Sequence, residues 1–315
     1  MRAPRILLAG SSDYSTACFE AIVQRTPGLT IAQVWTQPDR AVGRKLQLQP
    51  SPVAVWAESR GYTVHKLDSL KSPKPLELLQ SIDLALVISY GAIIPAPLLA
   101  LPCWGWWNIH PSDLPRFRGA APLHATILAG LEQSAVCLML MEVGLDCGPV
   151  LSRAPYAVPA DATVAALERI TAPLAAGLFT QAYAQALERN LSWTAQSTED
   201  ASYISKIKKQ DGQITLTLSA KDIERRCRAY AGWPGTYFET ADGPLFLRQC
   251  RVGEPVSAPA GQIVSLSDGA VQVALADGSS LWLERVQRAG KAEMSAAEYL
   301  MGRRLRVGDS WPVQA

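Results

Sequence analysis

The feature that most constrains this chain is the run at residues 83–89, DLALVIS. It is apolar without the alternation of a half-exposed strand, so it reads as a strand covered on both faces, as in parallel sheets. Shorter strand-like runs lie at 5–9, 30–35, 62–65, 105–109 and 135–141, with helical segments at 14–25, 52–60, 75–80 and 122–131 between them. Strands alternating with helices predict an α/β fold with a doubly wound, mainly parallel sheet. An Ala/Leu-rich helix at 164–186 is expected to pack across it. Residues 190–206 are polar and read as a linker. Beyond them a helix at 221–230 precedes short β-rich runs broken at Asp242-Gly243, Asp268-Gly269 and Asp277-Gly278. Aspartate-glycine between such runs marks hairpins, so a small OB-like C-terminal β-barrel is expected. The predicted division is an α/β domain at 1–189, the linker at 190–206 and the barrel at 207–315.

With 315 residues the chain has room for two domains, and 48% hydrophobic against 18% charged residues suits a globular protein. A net charge of +2 supplies no strong field for nucleic acid or membrane. Residues 206–315 carry 15 Lys and Arg against 12 Asp and Glu, a weak bias that permits a polyanionic partner without demanding one. Six cysteines without a C-x-x-C pair argue against a disulfide framework or a zinc site and fit a reducing cytoplasm. The apolar stretch before Gly10 is too short for a signal peptide. The stretch 82–107 is nearly all apolar, but Pro95, Pro97, Pro102 and Tyr90-Gly91 break it into strand, loop, short helix and strand, so no membrane span is expected. Gly10-Ser11-Ser12 either seats an anion at a helix N-terminus or is an ordinary strand-to-helix turn.

The chemistry concentrates where 105–109 ends. Asn108 and His110 share one strand face, at the carboxyl end where open α/β sheets bind ligands. Asp146, just past the run 135–141, is expected to approach from the neighbouring strand end. An amide donor, an imidazole and a carboxylate, with no cysteine or serine in an elbow turn, suit acyl transfer without a covalent enzyme intermediate. His110 moves a proton near neutral pH, Asp146 orients it, and Asn108 donates to an oxyanion. The alternative is a satisfied core histidine with Asn108 as a strand-end cap. His65 and His124 lack a comparable partner in the sequence.

Asn108-x-His110-x-Ser112-x-Leu114-Pro115, Arg118-Gly119-Ala120-Ala121-Pro122 and Gly144-Leu145-Asp146 together resemble the core of the folate-dependent formyltransferases. Further segments resemble the branch of that family acting on methionyl-tRNA: Thr36-Gln37-Pro38-Asp39-Arg40 with Gly43-Arg44, Ser51-Pro52-Val53, Ser89 to Pro95, Trp233-Pro234-Gly235, and Gln287 to Lys291 with Met294. The resemblance runs in order from about residue 5 to 310. It implies a Rossmann-like formyltransferase domain with a C-terminal tRNA-binding barrel. It also implies transfer of a formyl group from 10-formyltetrahydrofolate, a cosubstrate, to the α-amine of methionyl-initiator tRNA, for translation initiation. Asn108, His110 and Asp146 are then catalytic, with no metal required. Ser112, Asp113, Leu114 and Pro115 would bind the folate, with Tyr90, Gly91, Ala92 and Ile93 as the other wall. Arg40, Arg44 and Lys45 would meet the acceptor stem, and Lys206, Lys208 and Lys209 its phosphates. A cytoplasmic monomer is expected.

Asp113, Pro111, Cys147, Pro149 and Ala41 depart from the family's pattern, as does the loop from Gly10 to Tyr14. Asp113 either repels the folate glutamate or faces solvent. The rival activities are amino-sugar-nucleotide formyl transfer and formyltetrahydrofolate hydrolysis, which need the same three residues but no basic loop. A tRNA-binding protein with a degenerate site is the non-enzyme rival, and the intact triad argues against it.

Overall fold

The computed structural model describes residues 2–42 and 47–313. They form two interleaved units: Met1–Leu123, Glu132–Val158 and Ala165–Ser205 make the first, and His124–Leu131, Pro159–Val164 and Lys206–Ala315 the second.

In chain order the first part of the sequence forms β1 (Arg5–Gly10), α1 (Asp13–Arg25), β2 (Thr30–Thr36), β3 (Arg40–Val42), β4 (Gln47–Gln49) and α2 (Pro52–Ser59). There follow β5 (Val64–Lys66), α3 (Pro73–Leu79), β6 (Leu84–Ile88), α4 (Ala96–Leu99), β7 (Trp106–His110) and β8 (Arg118–Gly119). Then come α5 (Pro122–Leu128), β9 (Gln133–Leu140), β10 (Val150–Ala157), α6 (Val164–Leu187) and β11 (Tyr203–Ile204).

Seven strands make one sheet in the order β10-β9-β7-β6-β1-β2-β5. The five from β5 to β7 are parallel, and the chain winds outward from β1 first through β2 and β5, then through β6 and β7. The crevice between β1 and β6 is thus a topological switch point. β6 and β7 are buried along their whole length, as their unbroken apolar runs require. On one face Trp106 packs with Trp35, ring centroids 5.9 Å apart; on the other Trp107 meets Phe179 of α6 edge-on at 6.2 Å. The loop after β1 is a capped turn. Ser12 caps α1 in a reciprocal box with Ser15, Ser15 Oγ donates to the Ile88 carbonyl at 2.5 Å, and Ser11 Oγ donates to the Tyr90 carbonyl at 3.0 Å.

Two features differ from expectation. First, β9 runs antiparallel to β7, pairing Trp107 with Leu140 and His110 with Cys137. The strand preceding Asp146 therefore ends beside the start of β7, not at the neighbouring carboxyl end. Residues 141–149 return over the sheet face to reach the site. Gly148 allows this close approach: a Cβ there would lie 1.9 Å from the Leu140 carbonyl oxygen. Second, the stretch expected as a linker is fastened to the first unit through residue 205. β11 pairs in parallel with β8, Tyr203 opposite Arg118 and Ile204 opposite Gly119.

The second unit continues with α7 (Ala220–Ala229), β12 (Thr236–Thr240), β13 (Gly243–Gly253), β14 (Ile263–Ser267), β15 (Ala270–Ala274), β16 (Ser280–Arg288), β17 (Glu293–Ser295) and α8 (Ala296–Gly302). Its antiparallel sheet runs β12-β13-β16-β15-β14, with β17 also on β16, consistent with a small barrel. All three aspartate-glycine pairs lie at hairpin turns. At Asp268 and Gly269 φ is +50° and +80°, the left-handed pair that a tight hairpin turn demands. One core collects Phe238, Leu245, Leu247, Ile263, Val271, Val273, Leu281 and Leu283 from the sheet, with Ile223 of α7 and Leu300 of α8.

Candidate active site

Alternation along β7 puts Trp106, Asn108 and His110 on one face. Cys137 and Met139 sit directly across from His110 and Asn108 on β9. They pack with Leu114 and Val150, so the chain after β7 folds back over the same face. His110 is only 4% exposed. Its Nε2 lies 2.9 Å from the Phe117 carbonyl oxygen. A carbonyl only accepts, so this bond places a proton on Nε2. The other nitrogen, Nδ1, faces Asp146 Oδ2 at 3.7 Å. In the neutral ring Nδ1 is then the basic atom, and in the imidazolium it carries the proton beside the carboxylate.

Asp146 is held from three sides. Asn108 Nδ2 donates to Oδ1 at 3.4 Å, the Gly119 amide donates to Oδ2 at 2.7 Å, and His110 faces the same oxygen. Asn108 has a second N–H to offer an incoming oxygen. Both Phe117 and Asp146 sit at positive φ, +57° and +49°. Non-glycine residues take up that conformation at a cost of about 1–3 kcal/mol, mostly at functional positions. The structure therefore brings Asn108, His110 and Asp146 together.

The segments expected to bind folate are mixed. Ser112 is buried and its Oγ donates to the Arg116 carbonyl at 2.7 Å. Leu114 belongs to the packing just described, and Pro115 is half-buried. Asp113 is exposed and pairs with Arg153 at 3.3 Å. On the other segment Tyr90 is buried, and burial pushes its phenol up to about 12. Gly91 is exposed at φ +82°, Ala92 is half-buried, and Ile93 is 90% exposed. Gly91, Ala92 and Ile93 are thus the accessible part of that wall.

Residues 5–183 match the formyl transferase family and residues 206–304 the formyl transferase C-terminal domain. A methionyl-tRNA formyltransferase of Halorhodospira halophila is 35% identical over 99% of this chain and 100% of its own length. One of Xylella fastidiosa is 36% identical over 95% of this chain and 98% of its own. The chain belongs to the methionyl-tRNA formyltransferase family. Among solved structures, that of WlaRD, a sugar 3N-formyl transferase, superposes with a TM-score of 0.65 at 15% identity, over 93% of this chain and 100% of that one. At that identity the likeness speaks for the fold alone.

The described residues that the methionyl-tRNA formyltransferase resemblance implies for tRNA belong to both units. Arg40 is exposed on β3 and donates to Gln37 Oε1 at 3.3 Å. Arg44 and Lys45 lie outside the described residues. Lys206, Lys208 and Lys209 are exposed and belong to the second unit. Among the described residues, no group of three or more His, Cys, Asp or Glu side chains is placed to hold a metal ion, and no helix is long and apolar enough to cross a membrane.

Sequence reasoning missed the supports of the site. The Phe117 carbonyl and the Gly119 amide are backbone groups and carry no sequence signal. Gln196, in the supposed linker, donates through Nε2 to the carbonyls of Asp146 at 2.9 Å and Gly148 at 2.7 Å. Arg118 in turn donates to Gln196 Oε1 through Nε at 3.1 Å and Nη2 at 2.9 Å. Only the Arg118-Gly119 pair stood within the motifs that carried the family resemblance.

Proposed function

We propose that this chain transfers the formyl group of 10-formyltetrahydrofolate to the α-amine of methionyl-initiator tRNA. The observation that carries this reading is the convergence of Asn108, His110 and Asp146 on one face at the end of β7, in a chain of this family. The folate cosubstrate supplies an activated formyl carbon when bound. An α-amine has a pKa of about 8, so a fraction is already nucleophilic at neutral pH. As its nitrogen bonds to the formyl carbon, Asn108 donates to the oxygen that gains charge; one such donor is typically worth about 3 kcal/mol. His110 takes the amine proton at Nδ1, directly or through a water, and Asp146 stabilises the imidazolium. The proton then goes to the folate nitrogen as its bond to the formyl carbon breaks. Such relayed proton transfer contributes about 10²–10⁴ in rate.

In this proposal Gly91, Ala92 and Ile93 offer the accessible folate wall, with the 112–115 loop opposite holding its shape through Ser112 and Leu114. Residues 1–189 carry the chemistry and 207–315 bind tRNA. Arg40, Arg44, Lys45, Lys206, Lys208 and Lys209 contact its phosphates, positioning it without reading sequence. The protein acts as a cytoplasmic monomer.

The test supplies 10-formyltetrahydrofolate with charged initiator tRNA, an amino-sugar nucleotide, or water alone. Formyl on the tRNA-bound methionine is expected. Formyl only on the sugar, or only as free formate, overturns the proposal.

A further inference from the structure

The candidate carboxylate sits on a loop with every reason to wander. Residues 141–149 leave β9 at the far end of β7 and return across the sheet, and Asp146 holds a left-handed backbone conformation. Something must hold it there, and the bonds to its side chain do not fix its backbone. Gln196 does. Its one amide nitrogen donates to the carbonyls of both Asp146 and Gly148, fixing the 146–147 and 148–149 peptide groups.

Gln196 is itself held by an unusual partner. Arg118 is 4% exposed. Among the described residues the groups that reach its guanidinium are neutral: Gln196 Oε1, the Tyr203 hydroxyl at 3.1 Å and the Ser197 carbonyl at 3.5 Å, with the Tyr203 ring 5.8 Å away. A buried cation without a carboxylate is costly to keep, so its retention points to a use. Its place in the chain gives one. Arg118 stands between Phe117, whose carbonyl receives His110 Nε2–H, and Gly119, whose amide donates to Asp146. Its own amide is tied to the Ser202 carbonyl. One strip of backbone, braced by residues 196–204, thus registers the imidazole and the carboxylate against each other.

We infer that Gln196, locked by Arg118, is a positioning residue that sets Asp146 against His110 and Asn108. It touches no reacting atom, and its effect on rate rests on the formyl transfer proposed above. The discriminating variant is Gln196→Glu. It has the same shape and keeps an acceptor for Arg118, so folding is retained, but an ionised carboxylate has no N–H for the two carbonyls.

Two measurements on the full chain test this. The first needs no substrate: hydrogen exchange at the amides of Arg118, Gly119 and Ala120. The Arg118 amide donates to the Ser202 carbonyl, the Ala120 amide to the Ile204 carbonyl and the Gly119 amide to Asp146. Gln196→Glu should strip protection from Gly119 and leave its two neighbours protected. The second is steady-state formylation, where kcat should fall by about 10²-fold, the scale of a 1 Å misplacement, with KM for both substrates within about threefold. Arg118→Lys, which offers one nitrogen where the guanidinium offers two, should show the same split. Unchanged Gly119 exchange, equal loss at all three amides, or a kcat near wild type overturns the inference. If the wild-type chain itself formylates no tRNA, the proposed function fails, and the exchange result still decides the clamp.

Discussion

At the scale of single residues, the site is governed by which nitrogen of His110 is occupied. The Phe117 carbonyl takes Nε2–H, leaving Nδ1 toward Asp146. His110→Ala should therefore lower the single-turnover rate by about 10²–10⁴, with tRNA affinity unchanged in a filter-binding assay. A rate near wild type would remove His110 from the mechanism. Asp113 is a quieter residue than its departure from the family pattern suggested. Its carboxylate is half-exposed and already paired with Arg153. Exposed pairs contribute about 0–1 kcal/mol, and Asp113→Leu should change the unfolding free energy by no more than that in a urea titration. The two remaining histidines set an acid limit. Burial holds His65 and His124 below the ordinary histidine value, with Lys74 adding to the effect at His65. An unfolded chain takes up those protons near pH 6.5 and the folded chain only at lower pH. Stability should therefore be full above about pH 6.5 and decline as pH falls through that window. A thermal midpoint that does not drop between pH 7.5 and 5.5, or drops equally in the His65→Gln/His124→Gln double variant, would contradict this.

At the scale of elements, the loop between β9 and β10 carries the most weight. Gly148→Ala would drive a methyl group into the Leu140 carbonyl and lift the loop that bears Asp146. We expect a loss of about 1–3 kcal/mol, as for overpacking elsewhere, with kcat falling more than KM rises; denaturant unfolding and steady-state assays check the two parts. This loop also marks where the sequence stopped being legible. The strands themselves were plain: continuous apolar runs such as 83–89 have one good home, a doubly covered sheet. Asn108 and His110 were plain because polar side chains ending such a run ask for a reason. Strand direction was not, because the pattern of 135–141 buries equally well pointing either way. Only the ladder with β7 shows that β9 opposes it. The contacts of the 190–206 stretch were hidden for another reason. Its structure includes one two-residue strand, an isolated bridge from Thr194 to Val150 and a glutamine bonded to backbone carbonyls, and none of these leaves a periodic trace.

At the scale of the whole molecule, the charge is nearly balanced, so tRNA affinity must come from local clusters. Lys208→Ala and Lys209→Ala should each weaken tRNA binding and each reduce the slope of log K against log salt by about 1, with KM for the formyl donor unchanged. A slope that does not move would place those lysines away from the phosphates. The interleaving of the two units has a practical side as well. His124 and Tyr230 rings lie 6.3 Å apart, and Arg228 donates to the Ala162 carbonyl at 3.1 Å, so two short pieces from before residue 165 live with the second unit. The strap at 196–204 makes the opposite commitment. No single scissile bond sorts this chain into two whole parts: a truncation at 189 discards the brace of the site, and one at 205 leaves 124–131 and 159–164 without their companions. Anyone wishing to isolate the chemistry will have to redesign those two segments rather than merely shorten the gene.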